Sequence, residues 1–321
     1  MSVPVIQCLE LKKYFDTPFG KLHAVDNVSF TLEAHKTLGI VGESGCGKST
    51  LGRTILGLHK ATSGKVLFEG REIQDLSAKE MKPLRKEMQI IFQDPYSSLN
   101  PRDTVAQIIS QPIRIQGILK TSQEIDARVQ ELMDIVGLGK RFANTYPHEM
   151  DGGRRQRVGI ARALAMNPKF IVCDEPVSAL DVSIQAQILN LMMDLQDQMG
   201  LTYLFITHNL AVVKHISDDI AVMYLGQMVE KSETEALFKE PLHPYTQALL
   251  DAHPIPDPTV RKERVLLEGT IPSALNPPSG CKFHTRCKKC MQICKEQEPR
   301  AYHVDGEHIV YCHLYDGENK Q

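Results

Sequence analysis

Short apolar runs ending in polar residues recur along the chain, and segments of helical period lie between them. Thr37-Leu-Gly-Ile-Val41, Phe170-Ile-Val-Cys173 and Leu201–Thr207 each read as a buried strand. The first runs straight into a glycine-rich turn, after which Lys48–Leu58 reads as a helix. Between the other two, Ile184, Ile188, Leu191, Met192, Leu195 and Met199 repeat at helical spacing from Asp181, and Gly200 supplies a stop. Strands alternating with helices predict a parallel sheet covered on both faces. The beginning of the chain differs: Leu9–Leu32 alternates as strands do, with turn signals at Pro18, Gly20 and Asp26-Asn27. From about 96 to 166 the pattern is helical. Thr121 and Glu124 make a capping-box pattern ahead of Ile125, Val129, Leu132, Met133 and Val136, and a second segment runs from Gly153 to Met166. The expected fold is α/β, with antiparallel N-terminal strands and an inserted helical subdomain. From His253 onward, prolines at 254, 256, 258, 272, 277 and 278 break regular structure. A main domain over 1–255 and a small cysteine-rich tail over 256–321 are expected.

Composition narrows the function. Lys plus Arg total 37 and Asp plus Glu 39, a formal charge of −2. A whole-chain nucleic-acid binder would carry a basic excess, so no nucleic-acid partner is expected. Hydrophobic residues at 42% and charged residues at 24% fit a globular chain and exclude a disordered one. No run of 18 apolar residues encodes a membrane-spanning helix, and the first residues lack a secretory pattern. A role at a membrane would need partner subunits.

The sharpest chemical signal is Gly42-Glu-Ser44-Gly45-Cys46-Gly47-Lys48-Ser49, followed by Thr50. It matches GxxxxGK[ST] and sits between a predicted strand and a predicted helix, the context the motif requires. Its glycines permit a tight loop whose backbone N–H groups converge on phosphate oxygens, and the helix N-terminus adds positive charge. Lys48 would reach the β- and γ-phosphates and Ser49 would hold Mg²⁺. At the end of a second strand, Asp174 would hold Mg²⁺ through water and Glu175 would orient or deprotonate the attacking water.

These residues together resemble the ATPase subunit of an ATP-binding-cassette transporter, a P-loop NTPase with a RecA-like core. Gln93 matches the family's Q-loop, which also places it on Mg²⁺. Ser178-Ala-Leu-Asp181 matches the D-loop, and Thr207-His208-Asn matches the switch histidine. Phe15, or alternatively Tyr14, matches the aromatic that stacks on adenine. The resemblance covers about residues 5–255. It implies a head-to-tail dimer in which each ATP lies between one subunit's phosphate loop and the other's signature motif. In that geometry His208 faces the γ-phosphate and joins Glu175, the water and the opposite D-loop.

The signature departs from the family pattern. Where Leu-Ser-Gly-Gly-Gln is usual, the chain reads Met150-Asp151-Gly152-Gly153-Arg154. An ionised Asp151 accepts hydrogen bonds but donates none, and against a γ-phosphate it would repel by ~1–4 kcal/mol. Arg154 would offset it by pairing with it or by reaching the phosphate itself. Two readings follow: a tolerated variant, or an asymmetric dimer. In the second, the site built on Lys48 and Glu175 hydrolyses, whereas the opposite site binds more than it turns over.

Three longer segments narrow the resemblance: Asp94-Pro-Tyr-Ser-Ser-Leu-Asn-Pro101-Arg102, Glu175–Leu191 and His243-Pro-Tyr-Thr-Gln-Ala-Leu-Leu250. Together with the tail segment Leu275–Cys287 they resemble the dipeptide/oligopeptide (and nickel) import ATPases, and among the two paralogous subunits of those systems the chain resembles the F-type one. The implied partners are a sister ATPase subunit, two membrane permease subunits and an extracellular substrate-binding protein. The implied location is the cytoplasmic face of the cell membrane, bound peripherally. A permease coupling helix would dock beside residues 93–102. Peptide is the favoured cargo, with nickel or oligosaccharide as alternatives. A soluble cassette ATPase acting on ribosomes or DNA is the alternative of another class, disfavoured by one cassette and no long heptad run. Intact Lys48, Asp174, Glu175 and His208 argue against a non-hydrolysing sensor.

Five of the eight cysteines lie beyond residue 280. Cys281, Cys287, Cys294 and Cys312, spaced x5, x6 and x17, suit a [4Fe–4S] cluster or Zn²⁺, with free thiols as an alternative; resemblance to the peptide-importer tail implies this set and iron–sulfur. Cys287-Lys-Lys-Cys290 offers one CxxC, without a second pair. So short a tail is expected to fold with its metal. His284, His303, His308 and His313 read as surface residues, and Arg286, Lys288 and Lys289 as a solvated basic patch.

Overall fold

A computed structural model describes residues 3–252 and 269–317. The prolines at 254, 256 and 258, and the boundary expected at 255, lie outside the described residues. The strands are β1 (Ile6–Thr17), β2 (Gly20–Leu32), β3 (Thr37–Val41), β4 (Ser63–Phe68), β5 (Arg71–Glu72), β6 (Met88–Ile91), β7 (Phe170–Asp174), β8 (Thr202–Ile206), β9 (Asp219–Tyr224), β10 (Gln227–Glu233), β11 (Tyr302–Asp305) and β12 (His308–Val310). The helices are α1 (Lys48–Ile55), α2 (Ala78–Glu87), α3 (Pro95–Ser98), α4 (Val105–Gln116), α5 (Ser122–Ile135), α6 (Gly152–Leu164), α7 (Val182–Met199), α8 (Leu210–Ile216), α9 (Thr234–Lys239), α10 (Pro244–Ala252) and α11 (Gln292–Glu296). They form two compact units. One is built mainly from Asp75–Ile206 with Glu33–Lys36; the other is Ile6–Leu32, Thr37–Gln74 and the described part of Thr207–Gln321.

In the first unit β6, β7 and β8 run parallel, with Met88 opposite Phe170 and Phe170 opposite Thr202. Every position of β7 and β8 is buried, as expected of strands covered on both faces. Helix α7 buries Ile188, Leu189, Met192 and Leu195, and ends where Gly200 turns left-handed at φ 64°. The expected capping box opens α5: Thr121 Oγ1 accepts from Glu124 N at 3.2 Å, and Glu124 accepts from Thr121 N at 3.0 Å. Two further boxes, Ser77/Glu80 and Thr104/Gln107, open α2 and α4. Both carry the same [ST]-x-x-[EQ] spacing as Thr121/Glu124.

In the second unit β1 and β2 form a hairpin, and β4 and β5 continue the antiparallel sheet in the order β2-β1-β4-β5. The Asp26-Asn27 turn signal does not make a turn. The chain passes through a left-handed Asn27 (φ 58°) and remains strand, because Asn tolerates that conformation in a bulge. Asp26 is buried there, accepting from the Tyr14 hydroxyl at 2.5 Å. Elsewhere in the unit β3 runs parallel to β9, and β9 and β10 form a hairpin.

The tail takes its core from this unit. The β11–β12 hairpin extends β10, with Glu230 opposite Val310. Phe283, 2% exposed, packs edge-on to Tyr224 with ring centroids 5.2 Å apart and lies 5.3 Å from Tyr245. The tail therefore has buried packing that the sequence reading had assigned to a metal. Two of its histidines are also not surface residues. His308 bonds the fully buried Glu230 through Nε2 at 2.8 Å, and buried His313 bonds the Gln297 carbonyl at 3.0 Å.

Candidate nucleotide site

The phosphate loop, in the second unit, joins β3 to α1. Gly42 and Gly47 have φ of 152° and 104°. A Cβ on Gly42 would lie 2.2 Å from the Met223 carbonyl oxygen, and one on Gly47 would lie 1.9 Å from that of Ala24. The motif's glycines are thus required by both backbone conformation and close approach. Lys48 is 5% exposed; its ammonium donates to the Gly42 carbonyl at 2.8 Å and the Glu43 carbonyl at 3.0 Å. Cys46 is buried, which pushes its thiol up. Ser44 and Gly45 are exposed, and Ser49 and Thr50 half-buried on the first turn of α1.

The same unit carries Phe15 and His208. Phe15 is half-buried, edge-on to His59 at 5.4 Å, with Lys13 Nζ 4.6 Å from its ring centroid. Tyr14 stacks on His23 at 4.1 Å while bonding Asp26, so its ring and hydroxyl already serve the fold. His208 is exposed, between Thr207 and the Asn209 that caps α8 through Ala211 N at 3.0 Å.

The first unit carries the acidic residues. Asp174 is 1% exposed at the end of β7. Glu175 follows with φ 48°, an uncommon backbone for a non-glycine residue, and its N–H donates to the Ile206 carbonyl at 2.9 Å. Its Oε2 accepts from Gln93 Nε2 at 3.0 Å. That orientation leaves the Gln93 carbonyl oxygen for a cation. The Ser49 hydroxyl in the second unit and the Asp174 carboxylate in the first are likewise hard oxygen donors, the ligand chemistry that Mg²⁺ takes. Asp181 is exposed at the start of α7, and its side chain makes no capping bond.

The altered signature is locally well formed. Asp151 caps α6, accepting from Arg154 N at 2.8 Å, and Gly152 and Gly153 open the helix. Arg154 Nη1 lies 3.2 Å from Asp151 Oδ2, with its guanidinium 4.7 Å from the Phe142 ring centroid. Aspartate caps a helix about as well as the serine it replaces.

Residues 25–178 match the family described as ABC transporter, and residues 229–294 match the oligopeptide/dipeptide transporter, C-terminal region. The oligopeptide transport ATP-binding protein AppF of Bacillus subtilis is 51% identical, over 97% of each chain. The dipeptide transport ATP-binding protein DppF of Haemophilus influenzae is 46% identical, over 98% of each. Among solved structures, a dimeric post-hydrolysis ATP-binding cassette, MJ0796, bound to ADP and Pi, is 28% identical with a TM-score of 0.66. It covers 71% of this chain and 98% of its own. The chain belongs to the ATP-binding-cassette transporter family. It has that family's P-loop NTPase fold and is an ABC-type ATPase. Among the described residues no helix is long and apolar enough to cross a membrane.

The cassette's tail does not bear out the metal expectation. Among the described residues, no three His, Cys, Asp or Glu side chains are arranged to hold a metal ion. Cys281, Cys287, Cys294 and Cys312 lie near enough to influence one another electrostatically. Burial pushes the thiols of Cys281 and Cys312 up to about 11 and about 12.

The sequence reading missed three residues beside the phosphate loop. Glu43, inside the motif, accepts two hydrogen bonds from Arg286, at 2.8 and 3.2 Å, and its N–H donates to the Tyr245 hydroxyl at 3.0 Å. Arg286 is therefore not part of a solvated patch; its side chain is 5% exposed. An acidic residue within a phosphate-binding loop was the available signal that a cation must lie nearby.

Proposed function

We propose that this cassette is the ATP-hydrolysing motor of a membrane importer for di- or oligopeptides. The observation that carries the peptide assignment is the match of residues 229–294 to the oligopeptide/dipeptide C-terminal region, on a chain that aligns nearly end to end with importer subunits. Those relatives divide between dipeptide and oligopeptide names, so the length of the peptide is left to experiment.

In this reading the loop amides and Lys48 bind the β- and γ-phosphates, and Phe15 stacks on adenine, since Tyr14 is engaged elsewhere. Ser49, Asp174 and Gln93 would hold Mg²⁺, which screens phosphate charge. Glu175 orients the attacking water and takes its proton, while His208 hydrogen-bonds the γ-phosphate as charge develops. Asp181 and the signature Asp151-Gly152-Gly153-Arg154 face the partner's nucleotide. A sister ATPase, two permease subunits and an extracellular binding protein complete the assembly at the cytoplasmic face of the membrane. Closure of the cassette pair on ATP would pull on the permease, and hydrolysis would reset it.

The deciding experiment compares uptake in cells carrying wild-type chain or Lys48→Ala, with radiolabelled dipeptides, oligopeptides and nickel. Loss of peptide uptake alone is expected. Loss of nickel uptake alone would overturn the peptide assignment. The iron–sulfur or zinc reading of the tail rests on cysteine spacing, on resemblance to the peptide-importer tail and on the nearness of Cys281, Cys287, Cys294 and Cys312 to one another. An anaerobic preparation without iron, acid-labile sulfide, brown absorbance or zinc would remove it.

A further inference from the structure

The tail reaches the phosphate loop through a part-buried ion pair between Arg286 and Glu43. Arg286 lies in the short turn His284–Arg286, directly after Phe283, whose ring is locked among Tyr224 and Tyr245. From there the guanidinium grips the Glu43 carboxylate at two points and touches the Tyr224 hydroxyl at 3.5 Å. Its Nε is buried without a hydrogen-bond partner, so Glu43 and Tyr224 set the orientation of the group. The rest of residue 43 is held as well: its N–H by Tyr245 and its carbonyl by the ammonium of Lys48. The first residue after Gly42 is thus fixed at backbone nitrogen, backbone oxygen and side chain.

Charge gives this grip a purpose. A loop built to receive a polyanionic phosphate carries a carboxylate at its second position. Left uncompensated, that carboxylate would repel the ligand, most strongly where water is excluded. A bidentate guanidinium both neutralises it and fixes its plane.

We propose that Arg286 is a positioning residue for ATP, cancelling the charge of Glu43 and holding the start of the phosphate loop in its binding shape. The assignment rests on the phosphate-loop reading above. Both effects act on bound ATP and on the transition state alike, so they are expressed in KM rather than kcat.

The test uses the assembled transporter. Arg286→Gln is expected to raise the KM for ATP about tenfold and leave kcat nearly unchanged. Adding Glu43→Gln to that variant removes the exposed carboxylate and returns KM close to wild type. Arg286→Lys keeps the charge but loses the two-point grip, so its KM falls between wild type and Arg286→Gln. A purely structural tail contact would lower the melting temperature in the single and double variants without this pattern in KM. An unchanged KM in Arg286→Gln, a fall in kcat alone, or no rescue by Glu43→Gln overturns the proposal. If Arg286→Gln fails to fold, a wild-type KM in Arg286→Lys overturns it. Absence of ATP binding by the wild-type assembly would overturn the nucleotide-site reading instead.

Discussion

Gln93 Nε2 donates to Glu175 Oε2 at 3.0 Å, tying the Q-loop glutamine to the carboxylate after β7. Glu175 is also constrained by its left-handed backbone and by its N–H bond to Ile206. A carboxylate held in this way is aimed rather than free to sample rotamers, as a general base must be. Glu175→Gln is expected to lower ATP turnover by about 10²–10⁴-fold while leaving ATP binding intact. Gln93→Ala removes one hydrogen bond to a charged group, worth about 1.5–3 kcal/mol. It should lower kcat roughly 10–100-fold. Single-turnover hydrolysis and equilibrium ATP binding separate the two effects, and a Glu175→Gln enzyme of wild-type rate would refute the assignment.

Phe15 and Tyr14 are neighbours with different duties, and the difference is measurable. Tyr14→Phe removes the bond to buried Asp26 and should cost about 1–3 kcal/mol of stability, read from urea midpoints, with ATP affinity unchanged. Phe15→Ala should weaken ATP binding by about 0.5–1.5 kcal/mol, the worth of an aromatic pair. The reverse pattern would move the adenine contact to Tyr14.

The parts most legible in the sequence were those with a local cause. The phosphate-loop glycines, the buried strand cores, the Thr121/Glu124 box and the Gly200 stop each follow from neighbouring residues. Asp26-Asn27 misled because the same local preference for a left-handed residue serves a turn or a bulge, and strand pairing decides which. Arg286 and Glu43 are 243 positions apart, and no local pattern links them. His308 misled for a related reason. Its partner Glu230 comes from β10, 78 positions away, and no local pattern announces it.

The signature variant predicts a change in activity without a change in stability. Asp151 and Arg154 are 58% and 45% exposed, and such an ion pair is worth about 1 kcal/mol or less. Serine would keep the helix cap. Asp151→Ser with Arg154→Gln should therefore leave the melting temperature near wild type. If Asp151 repels the partner's γ-phosphate, the double variant should raise turnover at that opposite site by about tenfold or more. Unchanged ATPase activity and nucleotide occupancy in the assembled complex would establish the variant as tolerated.

Glu230 is a fully buried carboxylate with three partners: Leu242 N at 2.8 Å, His243 N at 2.9 Å and His308 Nε2 at 2.8 Å. It joins β10, the start of α10 and the tail hairpin. Glu230→Ala leaves two amides and an imidazole without their acceptor, and should destabilise the chain by about 3–5 kcal/mol. Urea unfolding measures this, and a loss below about 1 kcal/mol would show that the three donors find other partners.

His243 carries a pH dependence that can be isolated. Its ring is buried, with Nδ1 accepting from Tyr245 N at 3.0 Å, so it caps α10 as a neutral acceptor. Burial lowers its pKa from 6.5 to about 4, against the opposing pull of nearby Glu230. Unfolding therefore takes up a proton between these values, and stability falls as the pH drops from about 6.5 toward 4. At 1.36 kcal/mol per pH unit, this one group accounts for about 3 kcal/mol across the window. His243→Asn keeps a side-chain acceptor for the helix cap but does not titrate. Its urea midpoints, measured from pH 7 down to pH 4.5, should fall less steeply than those of wild type. An identical slope in the two proteins would place the acid sensitivity elsewhere in the fold.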